Sequence, residues 1–218
     1  MKFSLFSKVP FEVSDPIALI ESYCFQSDFY ANYDLLNYRD RRIENVAKIG
    51  ARIKGKTLQE CRDITEKTKH LAIFKYDLDS FLKLPDKTRN DHINELYCRV
   101  INKLLEVKGK GIGLPKATKV LHTLYPEIIP MIDTALKNEY KNKINKQWTK
   151  KSDQIFVDYY DNFKKGDNLQ NLTDILRQLR SNNLVGLTKV RIFDILWWSY
   201  LKSQKLGQEN EIKWLTIK

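Results

Sequence analysis

The sequence is poor in residues that interrupt helices, with 8 glycines and 6 prolines among 218 residues. So few turn formers cannot connect a many-stranded sheet. Apolar residues recur at helical spacing along most of the chain, and no alternating pattern follows residue 15. The sequence therefore predicts an all-α fold, preceded by a short extended arm over residues 3–13. One of the predicted helices spans about 35–53.

Cysteine and histidine are also scarce, at three residues each. The cysteines are too scattered for a disulfide framework and argue against zinc or an iron–sulfur cluster bound by cysteines: Cys24, Cys61 and Cys98. The histidines show no metal-ligand spacing. We therefore expect no metal and no cofactor.

The chain lacks a signal-peptide core in its first fifteen residues and any apolar run of membrane-spanning length. We expect no membrane contact and a cytoplasmic location. Positive charge is in excess, with 38 Lys and Arg against 27 Asp and Glu, a net charge of +11. This excess favours a polyanion as partner, while a lysine-rich composition bias is the alternative.

Three closely spaced glycines separate a predicted helix ending near Val107 from one beginning near Pro115, a residue suited to a first helical turn. The glycines permit positive φ and close backbone approach, and Ile112 would anchor the turn in the core. The N–H groups that open the second helix suit a nucleic-acid phosphate. The predicted DNA contacts are Gly109, Lys110, Gly111, Ile112, Gly113, Lys116 and Lys119.

Two other interpretations of this turn exist. A tight αα-hairpin needs glycine only for its turn and binds nothing. A dinucleotide site is excluded, because no strand or βαβ unit precedes the glycines.

Asp133 follows Pro130 and comes just before a predicted helix. Aspartate is a preferred helix N-cap, so capping alone can explain it.

Residues 111–133 combine four features in a fixed order and spacing: the glycine hairpin, an apolar helix, a proline and an aspartate. Gly-Ile-Gly-Leu-Pro-Lys-Ala-Thr-Lys-Val-Leu at 111–121, with Ile-Pro-Met-Ile-Asp at 129–133, resembles the helix-hairpin-helix motif and downstream aspartate of the endonuclease III-like DNA glycosylase superfamily.

The spacing from Gly111 to Asp133 is similar to that in the branch that removes mispaired adenine. Close resemblance covers about residues 105–140, and elsewhere only the helical pattern and the length are compatible. The resemblance implies one domain over 1–218, built as two packed helical lobes with a cleft between them. A central lobe over 34–125 would carry the hairpin at 108–114, and 1–33 with 126–218 would form the second lobe.

The resemblance further implies a monomeric, nucleoid-associated enzyme that acts on double-stranded DNA. Asp133 would be its catalytic residue and an abasic site its product. Cleavage of a base–sugar bond builds positive charge on the sugar, which a carboxylate stabilises. The damaged, mispaired or modified base must first be flipped out of the duplex. Its role could be DNA repair or defence against phage DNA that carries modified bases. The alternatives are a non-catalytic helix-hairpin-helix DNA-binding protein and a helical interaction protein with only compositional charge.

Relatives that also nick the strand carry a lysine two positions after the second hairpin glycine. Pro115 occupies that position here, and Lys116 points about 100° away on a helix. The sequence therefore predicts a monofunctional enzyme that uses water. Lys116 stays an alternative nucleophile if the turn shifts by one residue.

A flipped base is usually stacked on aromatic side chains. Tyr30, in a predicted loop, and Trp198, beside the buried stripe of the last helix, are the candidates for the base pocket. Asp194 is an isolated carboxylate in that otherwise apolar helix and is the reserve catalytic candidate. Arg191 is three residues away, so we expect the two to pair.

Overall fold

A computed structural model gives the fold, and it describes residues 1–3, 11–26, 41–47, 49–107, 111–143, 153–182, 184 and 186–205. The described chain is mostly helical, which confirms the predicted all-α class. Within these ranges, no helix has both the length and the apolar character needed to cross a membrane.

The N-terminal arm is a short antiparallel hairpin. Strands β1 (Lys2–Phe3) and β2 (Phe11–Glu12) pair with Phe3 opposite Phe11. Both phenylalanines are fully buried, and Phe11 stacks on Tyr200 with ring centroids 4.9 Å apart. The predicted extended arm is therefore confirmed at both of its described ends. Helix α1 (Pro16–Gln26) follows, and its first turn is capped by Asp15, which accepts from the Ala18 N–H at 2.9 Å.

A series of α-helices and short helical turns fills the middle of the chain. They are a 3-10 helix (Ile43–Ala47), α2 (Gly55–Thr68), a second 3-10 helix (Ala72–Lys75), α3 (Leu78–Leu82), α4 (Asp86–Leu96), a π-helical turn (Tyr97–Ile101) and α5 (Asn102–Leu105). The predicted helix over 35–53 is wrong in its described part. The 3-10 helix ends at Ala47, and Gly50 then takes a φ of +77°, which no α-helix continues through.

Further α-helices form the described C-terminal half: α6 (Leu114–Leu124), α7 (Thr134–Lys143), α8 (Gln154–Phe163), α9 (Asn168–Ser181) and α10 (Lys189–Lys205). Helix α10 is central, since it contacts α1, α7 and α9 and buries almost every residue from Val190 to Trp197. A helix buried all round must satisfy its polar side chains inside the protein. Arg191 and Asp194 are the charged residues within this stretch.

The apolar residues of the N-terminal β-hairpin, the middle helices and α10 form one continuous core. This core places α6, α7, α8 and α10 around the irregular segment that leads to Asp133. The division into lobes at 34–125, with 1–33 and 126–218, stays a prediction.

Candidate functional site

The predicted hairpin lies at the start of α6. Gly111 has a positive φ of 20°, and Gly113 is extended as the residue before the helix. Both glycines are exposed, whereas Ile112 between them is only 3 % exposed and packs in the core. The Gly113 carbonyl accepts from the N–H groups of Lys116 and Ala117 at 2.9 and 3.0 Å. A buried anchor thus holds an accessible backbone turn, while Gly109 and Lys110 lie outside the described residues.

Lys116 and Lys119, the predicted phosphate contacts on α6, are half-buried. Burial lowers the pKa of Lys119, the charge of Arg191 lowers it further, and the charge of Asp133 raises it. Lys119 therefore lies within electrostatic reach of Asp133. One of the predicted DNA-contacting lysines thus interacts electrostatically with the predicted catalytic carboxylate.

Residues 125–133, which we call the 125–133 loop, are irregular and largely buried. Buried backbone groups outside helices and sheets need other hydrogen-bond partners. Side chains donate to three carbonyls of this loop: Thr188 Oγ1 to Pro126 O at 2.8 Å, Tyr160 Oη to Ile128 O at 2.6 Å, and His122 Nδ1 to Ile129 O at 2.6 Å. Side chains from α6, α8 and the residue before α10 therefore hold the first half of the loop.

His122 is fully enclosed, and burial lowers its pKa to about 3, with the charges of Arg191 and Lys119 adding to the effect. It is therefore neutral near pH 7. Because a carbonyl can only accept, Nδ1 must carry the proton and donate to Ile129 O. His122 is a structural donor to the loop.

The second half of the loop is held through its amides. Met131 N donates to Asp194 Oδ2 at 2.8 Å, and Ile132 N donates to Thr118 Oγ1 at 3.2 Å. Asp133 N donates to Met131 O at 3.0 Å. Three consecutive N–H groups therefore each have a defined acceptor.

Asp133 is half-buried and caps α7. Its Oδ1 accepts from Leu136 N at 2.8 Å, and its carbonyl accepts from Lys137 N at 3.0 Å. The capping interpretation of this residue is thus correct. Within the described part of the chain, Oδ2 accepts no hydrogen bond, so capping occupies one carboxylate oxygen only.

Asp194 is 3 % exposed and accepts two hydrogen bonds, from Met131 N and from Tyr159 Oη at 2.5 Å. Burial raises the pKa of Asp194 to about 7; the two hydrogen bonds and Arg191 oppose this rise, and the charge of Asp133 adds to it. The charge of Arg191 acts on Asp194, but the hydrogen bonds to the Asp194 carboxyl come from Met131 and Tyr159, so the expected ion pair with Arg191 stays a prediction. The Asp194 carboxyl therefore belongs to the support of the loop.

Trp198 lies at the edge of the same network. It is half-buried and meets Tyr23 edge-on at 5.7 Å between ring centroids. Arg191 donates to Tyr23 Oη at 3.1 Å and lies 4.0 Å from the sulfur of Met131. These contacts link Trp198 to the loop through Tyr23 and Arg191, while Tyr30 lies outside the described residues.

Sequence reasoning missed most of the residues that support the loop: Tyr23, Thr118, Tyr159, Tyr160 and Thr188. Thr118 and His122 are four apart on α6, and this polar pair on an otherwise apolar face was a usable signal. The tyrosines resemble ordinary core residues until their hydroxyl partners are known.

A cavity of about 530 Å³ is lined by residues 77–79, by Pro126 and Glu127 of the loop, by α9 and by residues 186–189. Asp133 is not among its lining residues. Among the residues that the structure describes, no three His, Cys, Asp or Glu side chains come together as metal ligands would. Comparison with protein families, with curated proteins and with solved structures gives no significant match for the chain.

The raised pKa of Asp194 predicts a pH-dependent difference in stability between the wild type and Asp194→Asn. The folded wild type keeps its proton up to about pH 7, whereas the unfolded chain loses it near the ordinary value of 3.8. The contribution of Asp194 to stability is therefore present at low pH and lost as the pH rises towards 7.

Asparagine does not titrate, so the free energy of unfolding of Asp194→Asn should gain about 2–3 kcal/mol relative to the wild type between about pH 5 and about pH 8. Urea denaturation of both proteins across this range measures the difference, and other titrating groups cancel. A difference independent of pH would show that Asp194 titrates in the folded state as it does in the unfolded chain.

Proposed function

We propose that this protein is a helix-hairpin-helix DNA glycosylase. It hydrolyses the N-glycosidic bond of a damaged, mispaired or modified base that has been flipped out of double-stranded DNA, and it leaves an abasic site. The two packed lobes, the interlobe cleft and the cytoplasmic, nucleoid-associated location are parts of the same proposal.

One observation carries the catalytic part of the proposal. Asp133 is fixed at one oxygen by the cap of α7, while Oδ2 is without a hydrogen-bond partner in the described part of the chain. Glycosidic cleavage needs a carboxylate held near a sugar that develops positive charge, and it needs a group to orient or deprotonate the attacking water. A fixed carboxylate with one available oxygen suits both roles.

The hairpin supplies the proposed grip on DNA. Gly111 and Gly113 are exposed on a turn that no side chain of the described residues caps, ahead of an eleven-residue helix. Backbone N–H groups at such a helix start bind phosphate oxygens without reading the sequence. Lys116 and Lys119 follow on the same helix, and the net charge of +11 adds long-range attraction.

Water rather than lysine is the proposed nucleophile. Pro115 is in the first turn of α6 and offers no amine at the position where lysine would attack the sugar. The amines on α6 closest in sequence are Lys116 and Lys119. Lys119 lies four residues after Pro115, on the same face of the helix.

Asp133→Asn should abolish base excision without weakening DNA binding. The asparagine amide oxygen still accepts from Leu136 N, so the cap and the fold are kept. Without the carboxylate we expect single-turnover formation of abasic sites to fall by about 100-fold or more. The dissociation constant for the uncleaved duplex should stay within about 3-fold, since the change does not touch the phosphate contacts.

Asp77→Asn is the matched control, because Asp77 also caps a helix, by accepting from Ser80 N at 2.8 Å. Asp77→Asn should excise the base at the wild-type rate. Equal cleavage by Asp133→Asn and the wild type would reduce Asp133 to its capping role. DNA binding by the wild type with no abasic product from any duplex would instead favour a non-catalytic DNA-binding protein.

Borohydride should trap no covalent adduct between this protein and the DNA on which it acts. A Schiff base forms only when an amine attacks the sugar, and with water as the nucleophile there is no imine between protein and DNA for borohydride to reduce. Denaturing gel electrophoresis after incubation with substrate and borohydride measures the adduct. A trapped adduct would contradict the monofunctional proposal, and Lys116→Ala and Lys119→Ala would then show which amine forms it.

A further inference from the structure

The carboxyl of Asp194 joins three elements through two hydrogen bonds. From α10, its Oδ2 accepts from Met131 N in the 125–133 loop at 2.8 Å, and its Oδ1 accepts from Tyr159 Oη on α8 at 2.5 Å. Tyr159 also reaches the carbonyl of Val190 on α10 at 3.4 Å. Both oxygens of this buried carboxyl are therefore used, and one of them holds the loop.

The Met131 N–H depends on a side-chain acceptor. It precedes α7, whose backbone hydrogen bonds begin when Lys137 N donates to Asp133 O. Met131 is 4 % exposed, so water cannot easily replace a lost acceptor. Leaving a buried N–H without an acceptor is unfavourable, and the loop would have to move to relieve it.

Only Ile132 separates Met131 from Asp133 along the chain. Met131 N is held by Asp194, and Met131 O in turn accepts from Asp133 N at 3.0 Å. Arg191, from the same face of α10, contacts the Met131 sulfur at 4.0 Å. A shift of Met131 is therefore passed to Asp133 over a very short path.

We propose that Asp194 is a positioning residue, which fixes Met131 and thereby holds Asp133 at the place where it acts on the sugar. The inference rests on the proposed function of Asp133. Misplacement of a catalytic group by about 1 Å can cost about 100-fold in rate. Burial raises the pKa of Asp194 to about 7, so the carboxyl gains little from its surroundings as a charged group. The Asp194 carboxyl accepts a hydrogen bond from the loop, which an apolar residue at this position could not do.

Hydrogen exchange tests the restraint without any substrate. Asp194→Leu keeps most of the volume but removes the acceptor, and we expect amides of the 125–133 loop to exchange about 10-fold faster. Asp194→Asn keeps an acceptor oxygen and should restore slow exchange. Ser203→Ala is the control, because Ser203 is also buried on α10 but donates within its own helix, to Tyr200 O at 2.7 Å.

Activity tests the positioning. On a duplex from which the wild type excises a base, Asp194→Leu should lower the single-turnover rate of base excision by about 100-fold and leave DNA affinity within about 3-fold. Asp194→Asn should recover most of the rate, and Ser203→Ala should match the wild type. A general loss of folding would change affinity and rate together. If Asp194→Leu does not fold, Asp194→Ser, with too short a side chain to reach Met131 N, replaces it with the same expected results.

The two proposals fail in different ways. Unchanged exchange in the loop of Asp194→Leu overturns the positioning role, as does a wild-type rate in a variant whose loop exchanges faster. Faster exchange supports the restraint on Met131 even if no duplex is cleaved by the wild type. Absence of cleavage by the wild type overturns the proposed function of Asp133 and not the hold of Asp194 on the loop.

Discussion

The need to satisfy buried backbone groups in the 125–133 loop determines much of this structure. The loop is neither helix nor strand, so its carbonyls and amides must be paired by side chains. Those partners come from α6, α8, α10 and Thr188. Each of these elements must therefore pack close to the loop. This requirement accounts for the burial of Thr118, His122 and Asp194 in an otherwise apolar part of the core.

The loop also links the two features that the sequence made conspicuous. Helix α6 begins at the glycine turn and ends at the loop, and α7 begins where the loop ends, at Asp133. Thr118 and His122 on α6 hold the loop, so the helix that follows the turn also fixes the position of the carboxylate. The proposed grip on phosphate and the proposed chemistry therefore share one rigid helix.

Sequence patterns predicted the parts of the fold that depend on local periodicity. The apolar stripes of α4, α6 and α10 and the cap at Asp133 are of this kind, because residues three or four apart in sequence are neighbours on a helix. The support of the loop was not predictable in this way. Asp194 and Met131 are 63 residues apart, and Thr188 and Pro126 are 62 apart, and no local rule relates them.

Asp194 was noticed only because a carboxylate is rare in so apolar a helix. Its role could not follow from that rarity, since a reserve catalytic group and a support for the loop require the same residue type. The helix expected over 35–53 was wrong for a different reason: apolar spacing indicated a face to bury, while the positive φ of Gly50 ended the helical path.

The central claim is that Asp133 is held with one oxygen available for glycosidic cleavage. The most direct measurement is a panel of duplexes with different lesions, mispairs and modified bases, incubated with the protein and then cleaved chemically at abasic sites. Our account predicts strand breaks at the modified position of at least one duplex, dependent on the carboxylate of Asp133. Intact strands across the whole panel, with the protein bound to the DNA, would contradict it.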